Sequence, residues 1–140
     1  MRAEKGTDFL NRDQLRYYFE KGCKPISEWG IGSEYENFIL ALDSKRPVGY
    51  AGPKSISKIF DLLINKFEWV PVFENSNIVG LEKGKANISL EPGGQFELSG
   101  AIKKTVHEVE QEMTSFMHNM EVVCEELGLG LFSMGAAPYW

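Results

Sequence analysis

The chain has 140 residues, 43% of them hydrophobic, enough for one globular domain with a moderate core and too few for two. Twenty acidic residues against fifteen basic ones give a formal charge of -5, and the basic residues form no block, so nucleic acid is not an expected partner. Met1 to Asp8 mix charges without the apolar core of a secretion signal, and no stretch approaches the ~20 apolar residues that would cross a bilayer. Cys23 and Cys124 are far apart and outside any CxxC spacing, which reads as two ordinary thiols. Together these features predict a reduced, cytoplasmic protein with no membrane contact.

Asn11 and Gln14 form a capping pair, and Leu15, Tyr18 and Phe19 recur at helical spacing, predicting a helix over Arg12 to Lys21 that ends at Gly22 before Pro25. Ile31 to Leu42 reads as the first strand, followed by a turn-rich segment from Asp43 to Pro53. After Ser55, the residues Ile56, Ile59, Phe60, Leu63 and Ile64 make a second helical stripe. Trp69 to Phe73 and Asn77 to Glu82 are short strand candidates, and the turn Lys83-Gly84-Lys85 feeds a hairpin into Asn87 to Glu91. Ile102, Val106, Val109, Met113, Phe116, Met120, Val123 and Leu127 then step by three and four, predicting a long amphipathic helix stopped by Gly128. Met113, Met117 and Met120 read as core filler on that helix. Leu129 to Met134 is the last strand. Strands with short connections and helices between them predict an α+β domain on a largely antiparallel sheet.

The most informative stretch runs from Asn87 to Gly100. Asn87, Ser89, Glu91, Gln95, Glu97 and Ser99 are polar, whereas Ile88, Leu90, Phe96 and Leu98 are apolar, a period of two that gives one buried and one open face. Pro92-Gly93-Gly94 breaks the pattern with a tight bend. Glu34 and Glu36, two apart in the first strand, also share a side. An oxygen-rich cluster of this kind, without cysteine or paired histidine, suits Mg²⁺ or Mn²⁺, and such ions commonly bridge protein carboxylates to phosphates. A solvated acidic hairpin without a ligand explains the same residues. There is no GxxxxGK[ST] loop, and Gly30-Ile31-Gly32 does not extend to GxGxxG, so any ATP would be held by the sheet and metal ions. No Ser-His-Asp or Cys-His arrangement is present at a supporting spacing, and His107 has no second histidine at ligand spacing.

Four segments resemble the plant and proteobacterial type of glutamate–cysteine ligase: Gly22-Cys23-Lys24-Pro25 with Trp29, Ile31 to Glu36, Trp69-Val70-Pro71-Val72, and above all Leu90 to Gly100. The resemblance covers nearly the whole chain but only the amino-terminal third or so of such an enzyme. It implies part of a glutamine synthetase-like catalytic fold over residues 1–140. The implied reaction joins the γ-carboxylate of L-glutamate to the amine of L-cysteine through a γ-glutamyl phosphate, with ATP as co-substrate and Mg²⁺, or Mn²⁺, as cofactor, the first step of glutathione biosynthesis. By position, Glu34, Glu36 and Glu97 match metal ligands of the family, and Glu91 and Gln95 match residues that shape the glutamate and metal site. Departures are Ala101-Ile102-Lys103-Lys104, where relatives usually have a proline-containing segment, and a loose Gly135 to Trp140 ending. The later basic residues that would grip phosphate are not among these 140. The chain alone is therefore expected to be inactive, whether cut from a longer polypeptide or working beside a separately encoded remainder, and to expose surface that favours self-association. The alternatives are a truncated, non-catalytic metal-binding or interaction domain, and a metal-dependent hydrolase on another fold, which would leave the Leu90 to Gly100 match unexplained.

Overall fold

The computed structural model describes residues 11–137. Its elements are α1 (Arg12–Lys21), a 3-10 turn (Ile26–Glu28), β1 (Glu34–Ala41), α2 (Ile56–Phe67), β2 (Val70–Glu74), β3 (Asn77–Lys83), β4 (Ala86–Glu91), β5 (Gln95–Ser99), α3 (Val106–Leu127) and β6 (Leu129–Phe132). All strand pairs are antiparallel, in the order β2-β3-β4-β5-β1-β6. The strands from β2 to β5 follow one another as a meander, and β1 is inserted between β5 and β6.

Local signals set the element ends. Ser55 accepts the Lys58 N–H at the start of α2, and Thr105 with Glu108 forms a reciprocal capping box at the start of α3. Gly128 closes α3 at φ +67, a left-handed conformation that glycine adopts without steric cost.

Both long helices pack on one face of the sheet. Ile59, Phe60 and Leu63 of α2 and Phe116, Met120 and Val123 of α3 meet Leu81, Ile88, Phe96 and Leu98, all of them buried. Each such side chain stabilises the fold by roughly 1.5–3 kcal/mol through the apolar area it removes from water. The Phe60 and Phe96 rings lie 5.6 Å apart between centroids, joining helix layer to sheet. The result is a two-layer α+β architecture whose other sheet face carries the polar residues of the alternating stretch.

Several boundaries differ from the sequence expectations. The long helix begins at Val106, because Ile102 is exposed and Lys103 is taken up in a β-bridge with Ile31. Met120 is buried, but Met117 is largely exposed, so it does not fill the core. Helix α1 has the predicted bounds and capping pair, yet it buries no residue, and Tyr18 and Phe19 stand exposed. The first strand starts at Glu34 and the last ends at Phe132. Met1 to Asp8 and the final Pro138-Tyr139-Trp140 lie outside the described residues.

Candidate functional site

Antiparallel pairing decides which polar residues meet. Glu36 of β1 stands directly opposite Glu97 of β5, and Glu97 stands opposite Ser89 of β4. In the next row, Glu34 faces Ser99, and Ser99 faces Asn87. Directly paired residues project from the same sheet face with Cβ atoms about 4.5–5.5 Å apart, so Glu34, Glu36 and Glu97 share the face away from the helices. Beyond the bend, Glu91 pairs with Gln95. Gly93 and Gly94 take φ of +83 and +80, which explains two consecutive glycines there, and the Gly94 N–H donates to Glu91 O at 3.1 Å.

Side-chain hydrogen bonds then orient the acids. Gln95 Nε2 donates to Glu36 Oε2 at 2.9 Å, a diagonal contact between β5 and β1. Ser99 Oγ donates to Glu97 Oε1 at 2.9 Å, and Ser89 Oγ donates to Glu91 Oε1 at 3.0 Å. Glu97 is only 8% exposed, whereas Glu34 and Glu36 are open to solvent. No ion pair among the described residues involves Glu34, Glu36, Glu91 or Glu97. Two facing carboxylates without a cation repel each other, and one of them sits in a poorly hydrated position. An open recess of about 310 Å³, lined by Gly32, Ser33, Glu34, Ser99 and Gly100, adjoins the Glu34 row.

This donor set is entirely oxygen, the chemistry preferred by Mg²⁺ and Mn²⁺ and a poor match to structural zinc. The backbone register brings these oxygen donors to one face. The side chains themselves are engaged with Gln95 and Ser99, and among the described residues no three or more His, Cys, Asp or Glu side chains converge at metal-holding spacing. Closing on an ion would require rotations of Glu34 and Glu36, which are open to solvent, and of Glu97, which is buried.

Elsewhere, the Lys54 side chain, bonded to Asp43, holds that carboxyl below its ordinary range, and burial pushes the Cys124 thiol up to about 11. Cys23 and Cys124 are both free thiols. His107 lies exposed on the first turn of α3, in the helix layer and away from the acids. No helix among the described residues is long and apolar enough to cross a membrane.

Two polar residues close to this face had no signal in the spacing. Asn37 is 1% exposed on the helix side of β1, where Ser133 Oγ donates to its Oδ1 at 2.6 Å. Glu112 of α3 accepts the Ala101 N–H, just beyond β5. The first contact spans 96 residues and the second 11, both beyond the helical and strand spacings that a sequence pattern reports.

A family model described as Glutamate-cysteine ligase family 2 (GCS2) matches residues 30–140. Glutamate–cysteine ligase B, chloroplastic, of Oryza sativa subsp. japonica is 41% identical over 138 residues, covering 99% of this chain and 27% of that protein. The chloroplastic glutamate–cysteine ligase of Medicago truncatula is 42% identical over 138 residues, 99% of this chain and 27% of its own length. That of Arabidopsis thaliana is 40% identical over 138 residues, 99% of this chain and 26% of its own. The chain thus spans about a quarter of the length of the curated relatives it matches. The names of these relatives also correct the cytoplasmic expectation, since all of them are chloroplastic. Organelle transit peptides lack an apolar core, so its absence near Met1 does not indicate the cytoplasm.

Proposed function

The chain belongs to the glutamate-cysteine ligase family 2 (GCS2), and we propose that it supplies the amino-terminal part of a glutamine synthetase-like catalytic domain. The whole polypeptide would join the γ-carboxylate of L-glutamate to the amine of L-cysteine at the expense of ATP. The observation that carries this reading is the facing pair Glu36 and Glu97, without a cation among the described ion pairs and with Glu34 in the adjoining row.

In this reaction the glutamate γ-carboxylate takes the γ-phosphoryl group of ATP, and the cysteine amine then displaces phosphate from the acyl phosphate. Glu34, Glu36 and Glu97 would hold Mg²⁺, or Mn²⁺, which when bound neutralises phosphoryl oxygens and aligns the transfer. The chain's own contribution is positional and electrostatic. Gln95 fixes one oxygen of Glu36 and Ser99 fixes one of Glu97, which leaves the other oxygens to face a ligand. At the bend, Glu91 and Gln95 would shape the side of the site that receives glutamate. No residue here needs to act as a covalent nucleophile.

These 140 residues alone would not turn over, because the phosphate-gripping cations of the reaction lie elsewhere in the full polypeptide or in a separately encoded remainder. Exposed Tyr18, Phe19, Trp29, Ile102 and Val106 favour association with that remainder or with a second copy. The direct test is Mn²⁺ titration of the chain, followed by the same titration of Glu34→Gln, Glu36→Gln and Glu97→Gln. Weak binding that each substitution reduces is expected, and unchanged affinity in all three would remove the site. Formation of γ-glutamylcysteine by the purified chain would overturn the assignment of the missing functions.

A further inference from the structure

Glu112 belongs to the helix layer, yet its carboxylate reaches the connection that leaves β5. Its Oε1 accepts the Ala101 N–H at 3.2 Å and pairs with Lys103 Nζ at 3.0 Å. The two side chains of this ion pair are 14% and 27% exposed, whereas those of every other ion pair among the described residues are at least 40% exposed. Surface pairs contribute little, but a largely buried carboxylate is costly to desolvate and persists where its geometry is firmly held. Glu112 Oε2 is buried with no hydrogen-bond partner, and so is Ser33 Oγ. Both crowd the spot where a side chain on residue 100 would stand, so any residue but glycine there would have to displace these two side-chain ends.

The clamped connection is tied to the entrance of β1. The Gly100 N–H donates to Ser33 O at 2.8 Å, the Ile31 N–H to Lys103 O at 2.8 Å, and the Lys103 N–H to Ile31 O at 2.9 Å. Ser33 immediately precedes Glu34, and Gly100 follows Ser99, the residue paired with Glu34. One carboxylate on α3 therefore holds the end of the β1–β5 ladder from behind, while the acids project from the opposite face.

We propose that Glu112 is a positioning residue: by fixing Ala101 and Lys103 it sets the separation of Glu34, Glu36 and Glu97. Its functional consequence rests on the metal-site reading given above, but the clamp itself does not. A displaced ladder end would move Glu34 and Glu97 relative to each other, and metal affinity falls steeply with such displacement.

The test compares the 140-residue chain with Glu112→Ala and Glu112→Gln by amide hydrogen exchange and by Mn²⁺ titration. In Glu112→Ala, exchange at Gly100, Ala101 and Lys103 accelerates while Leu81 and Ile88 in the β3–β4 ladder keep their protection, and Mn²⁺ affinity falls about tenfold. Glu112→Gln keeps an oxygen acceptor for Ala101 and restores much of both. If Glu112→Ala does not fold, Glu112→Asp, one methylene short of Ala101, is read in the same way. Unchanged exchange at Gly100 and Lys103, or a uniform rise across the whole sheet, overturns the clamp. Local loosening with unchanged Mn²⁺ affinity overturns the positioning role. Absence of Mn²⁺ binding in the unsubstituted chain defeats the metal-site reading instead, and the exchange arm still decides whether Glu112 holds the ladder.

Discussion

Glu36 on β1 and Glu97 on β5 are a directly opposed antiparallel pair, each with one carboxylate oxygen hydrogen-bonded by a neighbour on β5. Like charges in this position weaken a sheet. Glu36→Gln is therefore expected to raise the stability of the metal-free chain, on the order of 0.5 kcal/mol. It should also shrink the stabilisation that added Mn²⁺ brings. Thermal unfolding in chelator and in Mn²⁺ reads both effects, and a lower midpoint in chelator would show that the pair is not repulsive.

Gly80 pairs with Ser89 and is buried, and a Cβ there would stand 2.6 Å from Ile88 O. The obstacle is backbone, which cannot swing aside. Gly80→Ala should cost about 1–3 kcal/mol through overpacking, measured by urea unfolding. A change within error would mean that β3 and β4 can separate locally.

Thr105 and Glu108 cap α3 reciprocally, and Thr105→Ala should destabilise the chain by about 1 kcal/mol. The backbone N–H groups of Lys104 and Thr105 hold Glu108 below its ordinary value of 4.5. A depressed carboxyl contributes stability above pH 4.5 and loses it as the pH falls through its folded value. Glu108→Gln should flatten that part of the acid limb of the stability–pH profile. An unaltered limb would assign the acid sensitivity to other carboxylates.

Cys23 is exposed, and Cys124 is buried with its thiol pushed up to about 11. A thiol-reactive probe at neutral pH should label one equivalent rapidly, and the second only on unfolding. Because the folded value of Cys124 is raised, its contribution to stability is complete below its ordinary value of 9.0 and is lost as the pH climbs toward 11. Rapid modification of both thiols in the folded chain would contradict the burial.

The Asn87 to Ser99 stretch was legible because a half-buried hairpin writes its two faces into alternate residues, and Ile88, Phe96 and Leu98 do lie in the core. Periodicity was less informative at Ile102, which has the spacing of the long helix. Its neighbour Lys103 pairs instead with Ile31, a remote partner that overrides the local pattern. The helix begins instead at the Thr105 and Glu108 capping box, which the periodicity of the apolar residues does not register. In α1, spacing located Leu15, Tyr18 and Phe19 on one side but could not say that nothing among the described residues buries them. For the acids, the sequence placed Glu34 beside Glu36 and Glu91 near Gln95. Opposition of Glu36 to Glu97 depends on the register between distant strands, and the Gln95 to Glu36 bond follows from it.

Insertion of β1 between β5 and β6 also bears on how the chain folds. The meander from β2 to β5 closes short loops and can form early, whereas β1 must find partners far along the sequence. By loop length alone, Glu97 lies in strands expected to pair first and Glu36 in the strand expected to dock later. The acidic pair exists only once that last strand has docked, so it reports completion of folding, and local opening of β1 would dismantle it while the meander stayed intact.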